Sequence, residues 1–234
     1  MIATTLRIYY RVTMQNAMTV DVEEYFQVHA LSGVIPVDTW DSYEDNVEAN
    51  TVRIMDLLDT KRVKATFFCL GWIGERHEGL IREIHRRGHE IACHGYMHQL
   101  ISSQDTKIFR TDVERAKKVL EDCIGEEVIG YRAPTYSITE KTLWALDILE
   151  ELGFKYDSSI FPIYHDFYGI PDAPRFPHRI DGYSLVEFPI STINIGTINM
   201  PLSGGGYFRL LPYVVTKMAL QHYKKIGEPF MFYI

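Results

Sequence analysis

The sequence predicts an α/β fold on a mainly parallel sheet, open or closed into a barrel. Three observations predict it. Short runs rich in β-branched and aromatic residues alternate with helix-spaced apolar patterns from Met18 to Ile234. No repeat or low-complexity linker divides the 234 residues. Chemistry-bearing side chains recur just after predicted strands, the end at which parallel sheets and barrels assemble their sites.

Met18–Val22 reads as the first strand. Between Asn46 and Thr60, Val47, Ile54, Met55 and Leu58 fall at helical spacing with Thr51 between them. Ala65–Leu70 is an unbroken apolar strand. Leu80, Ile81 and Ile84 define a short helix that Gly88 can end. Glu90–Cys93 is the third strand. Phe109, Val113, Ala116 and Leu120 form the next helical face, closed by Gly125. Val128–Tyr131 follows as a strand. A helix carrying Leu143, Leu146 and Leu149 is then expected, with Thr139 as its cap and Gly153 as its end. Phe154–Tyr156 and Leu185–Phe188 are two more strands. Between them the Pro- and aromatic-rich stretch Phe161–Pro177 reads as a long ordered loop facing substrate. A helix over Pro212–Ile226 and a seventh strand over Phe230–Ile234 complete the chain.

Composition bounds the function. Hydrophobic residues make up 46% and charged residues 24%, as in an ordinary globular protein, with a formal charge of −7. That balance disfavours nucleic acid as a partner, because phosphate binding needs a positive surface. Cys69, Cys93 and Cys123 are odd in number, lie in apolar runs and read as buried thiols. Trp72 and Trp144 read as packing residues. No apolar run reaches the roughly 18 residues of a membrane span, and the N-terminus lacks the apolar core of a signal peptide. A cytoplasmic location is expected, with association to a membrane through an assembly complex as the variant. Gly204-Gly205-Gly206 is not a phosphate loop, since no Lys-Ser or Lys-Thr follows it.

The chemistry concentrates in His94-Gly95-Tyr96-Met97-His98 and Asp21-Val22-Glu23. Two imidazoles four residues apart and a carboxylate are ligands that zinc and similar ions take, and three protein ligands leave a coordination position open for catalysis. Asp21 then stands beside the site as a base. Arg132 and Asp157 follow the fourth and fifth strands on the same face. Cys93 adjoins His94, but neighbours on a strand point to opposite faces, so it reads as core.

Thr19-Val20-Asp21-Val22-Glu23-Glu24-Tyr25-Phe26, Gly88-His89-Glu90-Ile91, His94-Gly95-Tyr96-Met97-His98 and Arg132-Ala133-Pro134 resemble the motifs of NodB-type polysaccharide deacetylases, carbohydrate esterase family four. Phe161-Pro162-Ile163, the stretch Gly169–Pro177 and Gly204–Arg209 resemble the subfamily found beside exosortase and exopolysaccharide loci. The resemblance implies a distorted (β/α) barrel over residues 14–234, behind an N-terminal extension of residues 1–13 expected to be poorly ordered. It implies a divalent ion, Zn²⁺ or alternatively Co²⁺ or Ni²⁺, held by Glu23, His94 and His98. Asp21 would be the general base, Arg132 would orient it, and the backbone N–H of Thr135 would stabilise an oxyanion. Asp157, His165, Tyr207 and Arg209 would contact an N-acetylated polysaccharide or its precursor, with the N-acetyl group as the reacting group.

Two departures from the family pattern stand out. The family's commoner first motif has adjacent aspartates, whereas here the spacing is Asp-x-Glu. A general-acid His is also expected after the last strand, and Phe230-Met231-Phe232-Tyr233-Ile234 has nothing after it, so a chain incomplete at its C-terminus is expected. An allantoinase-like cyclic amide hydrolase and a catalytically impaired carbohydrate-binding homologue are the competing readings.

Overall fold

A computed structural model describes residues 16–234; the expected extension over residues 1–13 lies outside them. Strand β1 (Ala17–Val22) is followed by short 3₁₀ turns and helix α1 (Val47–Lys61). Then come β2 (Thr66–Cys69), α2 (Gly71–Arg76), α3 (Glu78–Arg86), β3 (Glu90–Cys93), α4 (Thr106–Ile124) and β4 (Gly130–Tyr131). They are followed by α5 (Ala145–Glu151), β5 (Tyr156–Asp157), β6 (His178–Arg179) and β7 (Val186–Glu187). The hairpin β8 (Thr192–Ile195) and β9 (Ile198–Pro201), α6 (Gly205–Leu210), α7 (Tyr213–Ile226) and β10 (Met231–Tyr233) complete the order.

The main sheet runs β10-β1-β2-β3-β4-β5-β7-β6. Its first seven strands are parallel, as the seven-strand expectation has it, and β6 adds an antiparallel edge. The sheet curls without closing into a hydrogen-bonded ring, since β10 and β6 are its edges. Beside β10 the backbone N–H of Met231 reaches the Ser191 hydroxyl at 2.8 Å, a side-chain link where a ladder would continue.

Register sorts the side chains by face. Val22, Cys69, Cys93, Tyr131, Asp157 and Glu187 lie in one row across the sheet. The first four belong to the large core beneath the helices, with Val113, Ala116 and Leu120 of α4. The neighbouring row, including Asp21, Phe68 and Tyr156, therefore lines the concave side. All three cysteines are buried and free, as expected.

The helices follow their sequence signals unevenly. α4 is capped by Asp105, whose side chain accepts the Ile108 N–H at 2.8 Å, and Gly125 ends it with φ +72. Thr139 is not a cap: α5 starts at Ala145. The Thr139 N–H instead donates to the Thr142 hydroxyl, which donates to Ser137 O, and these local bonds hold a turn where a helix was expected. α2 was not foreseen, because it opens with a glycine and is one turn and a half long. Gly71 packs so closely on α4 that a Cβ would stand 2.8 Å from Ala116 Cα and 2.5 Å from the Tyr96 ring.

That close approach makes a prediction. Gly71→Ala gains helix propensity but forces α2 away from α4, and overpacking dominates at about 1–3 kcal/mol. Urea unfolding measures it; a neutral or stabilised variant would show that the two helices yield.

Candidate functional site

Glu23, His94 and His98 meet at the carboxyl end of the sheet, with one ligand atom from each within 4.8 Å of the others. Glu23 stands just past β1, and His94 just past β3. The turn from His94 to His98 is set by Asp112 of α4, whose carboxylate accepts the Tyr96 N–H at 2.7 Å and the Met97 N–H at 3.2 Å. Gly95 within it has φ +77, where a side chain is strained. The sequence reading missed Asp112, yet a signal existed. It lies three residues after Phe109 and four before Ala116, so it interrupts the buried stripe of α4 with a carboxylate.

The His94 Nδ1–H donates to Arg132 O at 2.8 Å, which leaves Nε2 as the lone-pair nitrogen facing the cluster. Burial lowers the pKa of His94 and favours this neutral form. Burial would raise the pKa of Glu23, but His98 and His94 outweigh it and keep the carboxyl ionised. In His98, burial acts downward and the Glu23 charge prevails upward. Glu23 Oε2 comes within 2.6 Å of His98 Nε2. It is nevertheless buried without a properly oriented hydrogen bond, as is His98 Nδ1. A buried carboxylate oxygen without a donor is costly unless something else satisfies it. Two imidazoles and a carboxylate fit a divalent ion such as zinc, cobalt or nickel.

Beside this trio, Arg132 is wholly buried. Its Nη1 donates to Asp21 Oδ1 at 2.6 Å and to the Thr19 hydroxyl at 2.9 Å. Its Nη2 donates to the Ser158 hydroxyl at 2.9 Å, and its plane lies 3.9 Å over the Phe68 ring. Burial alone would lower its pKa; the Asp21 carboxylate more than reverses that. Thr135 and Tyr136, just downstream, have φ +54 and +52, and His98 has φ +52. Apart from Arg62, which ends α1, these are all the left-handed non-glycine residues among those described. Such conformations cost about 1–3 kcal/mol each and persist where surrounding bonds overdetermine them. Here the Ala133 N–H is held by the Ser159 hydroxyl at 2.7 Å, and the Ser137 hydroxyl holds Pro134 O at 2.7 Å.

Asp157 needs correction as a substrate contact. It has no exposed surface and lies in the outward row under the helices. It accepts a hydrogen bond from Ser159, the residue that pins Ala133, and faces its register partner Glu187. Burial pushes Asp157 up to about 6 and, with the Asp157 charge, pushes Glu187 well above the usual carboxylate range. Asp157 Oδ2 and Glu187 Oε2 are buried without a hydrogen-bond partner, so burial favours the protonated forms, and through Ser159 the pair backs the Ala133–Thr135 turn.

The other expected contacts are dispersed. His165 is exposed and stacks on Tyr168 at 3.8 Å. Tyr168 stacks on Phe161, which touches Tyr136, and Tyr136 meets Tyr233 at 5.2 Å. This aromatic wall ends 5.9 Å from the Arg132 guanidinium. Tyr207 adjoins Tyr168 and Tyr233. Gly204, with φ +120, lies so close to the Tyr233 ring that a Cβ would overlap it at 2.1 Å. Arg209 is exposed and its Nε donates to Gly205 O of its own helix.

Residues 38–156 match the model of the family described as polysaccharide deacetylase, and residues 158–234 match a domain of unknown function (DUF3473). The first match includes His94, His98, Arg132 and Thr135; Asp21 and Glu23 precede it. A peptidoglycan-N-acetylglucosamine deacetylase of Bacillus cereus is 31% identical over 98 residues, 42% of this chain and 36% of its own. A crystal structure of a putative polysaccharide deacetylase from Mycobacterium smegmatis superposes with a TM-score of 0.67 at 25% identity, over 94% of this chain and 75% of its own. The PuuE allantoinase structure, with a TM-score of 0.62 at 18% identity over 94% of this chain and 76% of its own, is alike in fold. The chain spans less than half the length of the curated relatives it matches.

The Asp157–Glu187 pair predicts a pH dependence. Both carboxyls hold their proton more tightly folded than unfolded. Their contribution to stability is therefore complete below about pH 4 and is lost as the pH rises through about 6 and beyond. Glu187→Gln keeps a donor toward Asp157 and an acceptor for the Ile160 N–H. Urea melts from pH 4 to 8 should show a shallower loss of stability in the variant, and a slope equal to the parent's would show that this pair does not carry the pH dependence.

Proposed function

Because the chain belongs to the polysaccharide deacetylase family, we propose that it is a metal-dependent hydrolase. It removes N-acetyl groups from an N-acetylated sugar polymer or its precursor in exopolysaccharide biosynthesis. The observation that carries this reading is the convergence of Glu23, His94 and His98 beside the Asp21–Arg132 pair, whose arginine is wholly buried. The Bacillus cereus relative is named for the N-acetylglucosamine of peptidoglycan. The resemblance of Gly169–Pro177 and Gly204–Arg209 to an exopolysaccharide-associated subfamily supports the narrower assignment.

Glu23, His94 and His98 would hold the ion, His94 oriented by its bond to Arg132 O. A divalent ion at this point supplies a Lewis acid that makes water acidic and polarises a carbonyl. Asp21 accepts the proton of the attacking water. Arg132 fixes the Asp21 carboxylate in one orientation, through the bond from its Nη1 to Asp21 Oδ1. The Thr135 N–H, in the strained turn after Pro134, donates to the developing oxyanion. Tyr207 and His165, joined to the aromatic wall, give the sugar ring apolar faces and polar edges to lie against.

Two tests separate these roles. Replacing either histidine by alanine should abolish stoichiometric zinc or cobalt uptake, read by equilibrium dialysis; undiminished uptake in both variants would remove the trio as ligands. Asp21→Asn should retain the ion yet lose about 10²–10⁴-fold in acetate release from N-acetylated oligosaccharides, because a carboxamide cannot accept the proton. Loss of the ion in that variant would make Asp21 a ligand instead.

A further inference from the structure

Acidic residues stop at Glu187 and resume at Glu228. The forty residues between hold no Asp or Glu but do hold Arg209, Lys217, Lys224 and Lys225, in a chain whose formal charge is −7. This span forms β8, β9, α6 and α7. None of the four cations is ion-paired among the described residues.

Only one face of α7 is buried. Thr216, Ala219 and Tyr223 turn inward, and the Tyr223 hydroxyl donates to Thr192 O at the base of the hairpin. On the outward side Val214 is 57% and Met218 63% exposed, Tyr213 67%, and Leu210 at the end of α6 80%. Helical spacing puts Lys217 and Lys225 beside Val214 and Met218 on that side, with Lys224 along its flank. Large exposed apolar side chains grouped in this way mark an interaction surface.

We infer that this α6–α7 face docks on an anionic lipid bilayer. An apolar ridge edged by unpaired lysines suits the headgroup boundary, where the ridge enters the acyl region and the cations meet phosphate. A second copy of the chain fits poorly, because a two-fold contact would bring each patch's lysines against its twin's. None of the described helices is long and apolar enough to cross a membrane, so attachment would be to the surface. Docking would also turn one wall of the site toward the bilayer, since α6 begins at Gly205 beside Tyr233. The inference does not depend on the deacetylase reading.

Vesicle flotation tests it. The chain should bind vesicles containing about 30% phosphatidylglycerol at least about tenfold more strongly than pure phosphatidylcholine, and less so as salt rises. The combined Lys217→Glu, Lys224→Glu and Lys225→Glu variant should fall to the level of neutral vesicles. Leu210→Ser with Met218→Ser should weaken binding about fivefold or more. Circular dichroism and thermal melting establish that each variant is folded. Equal or absent binding to the two vesicle types would overturn the inference. So would variants that bind like the parent, or a dimer in solution that Met218→Glu dissolves.

Discussion

A guanidinium has five N–H donors and a charge that cannot be given up, and Arg132 holds both inside the concave side of the sheet. Everything around it answers that demand. β1 supplies Thr19 and Asp21, β2 supplies the face of Phe68, the segment after β5 supplies Ser158, and β10 lays Met231 against it. A buried ion pair of this kind adds little net stability when intact. Removing one partner costs about 3–5 kcal/mol, because the other charge is left without water. Arg132 therefore acts as a constraint on geometry more than as a source of stability: it fixes how far apart the strands that carry the site can lie.

The strain nearby is a consequence of that constraint. Arg132 must reach inward while its own carbonyl accepts from His94, so the chain immediately after it has to turn sharply. Thr135 and Tyr136 take up the turn in left-handed conformations. The bonds that hold them come from the far side of the sheet, through Ser159 and the Asp157–Glu187 pair. Two buried carboxyls that look like an electrostatic fault thus support a turn at the carboxyl end of the sheet.

Much of this was legible in the sequence, for identifiable reasons. Long periodic segments such as α4 declare themselves through Phe109, Val113, Ala116 and Leu120. The trio and Arg132 stand out because histidines, carboxylates and arginine recur at strand ends. The misreadings come from places where spacing carries less information. β5 is two residues long, and position at a strand end does not say which face a side chain takes. Only the pairing with β4 decides it: Asp157 stands opposite Tyr131, which belongs to the core, and so shares its face. The hairpin β8–β9 and the short α6 carry no periodic apolar signal and depend on tertiary contacts with α7 and β10.

The order of the strands has a kinetic side. β10 pairs with β1, and Thr19 bonds Phe232 across 213 positions of sequence. Closing so long a loop is entropically expensive and is repaid only after the intervening strands are in place. β2, β3 and β4 are linked by shorter crossovers and can pair earlier. Until β10 arrives, Arg132 lacks part of its enclosure and Tyr233 is missing from the aromatic wall. The chain would thus pass through a partly assembled sheet whose histidine-bearing turns precede the strand that seals them, and the full enclosure of Arg132 would appear among the last events of folding.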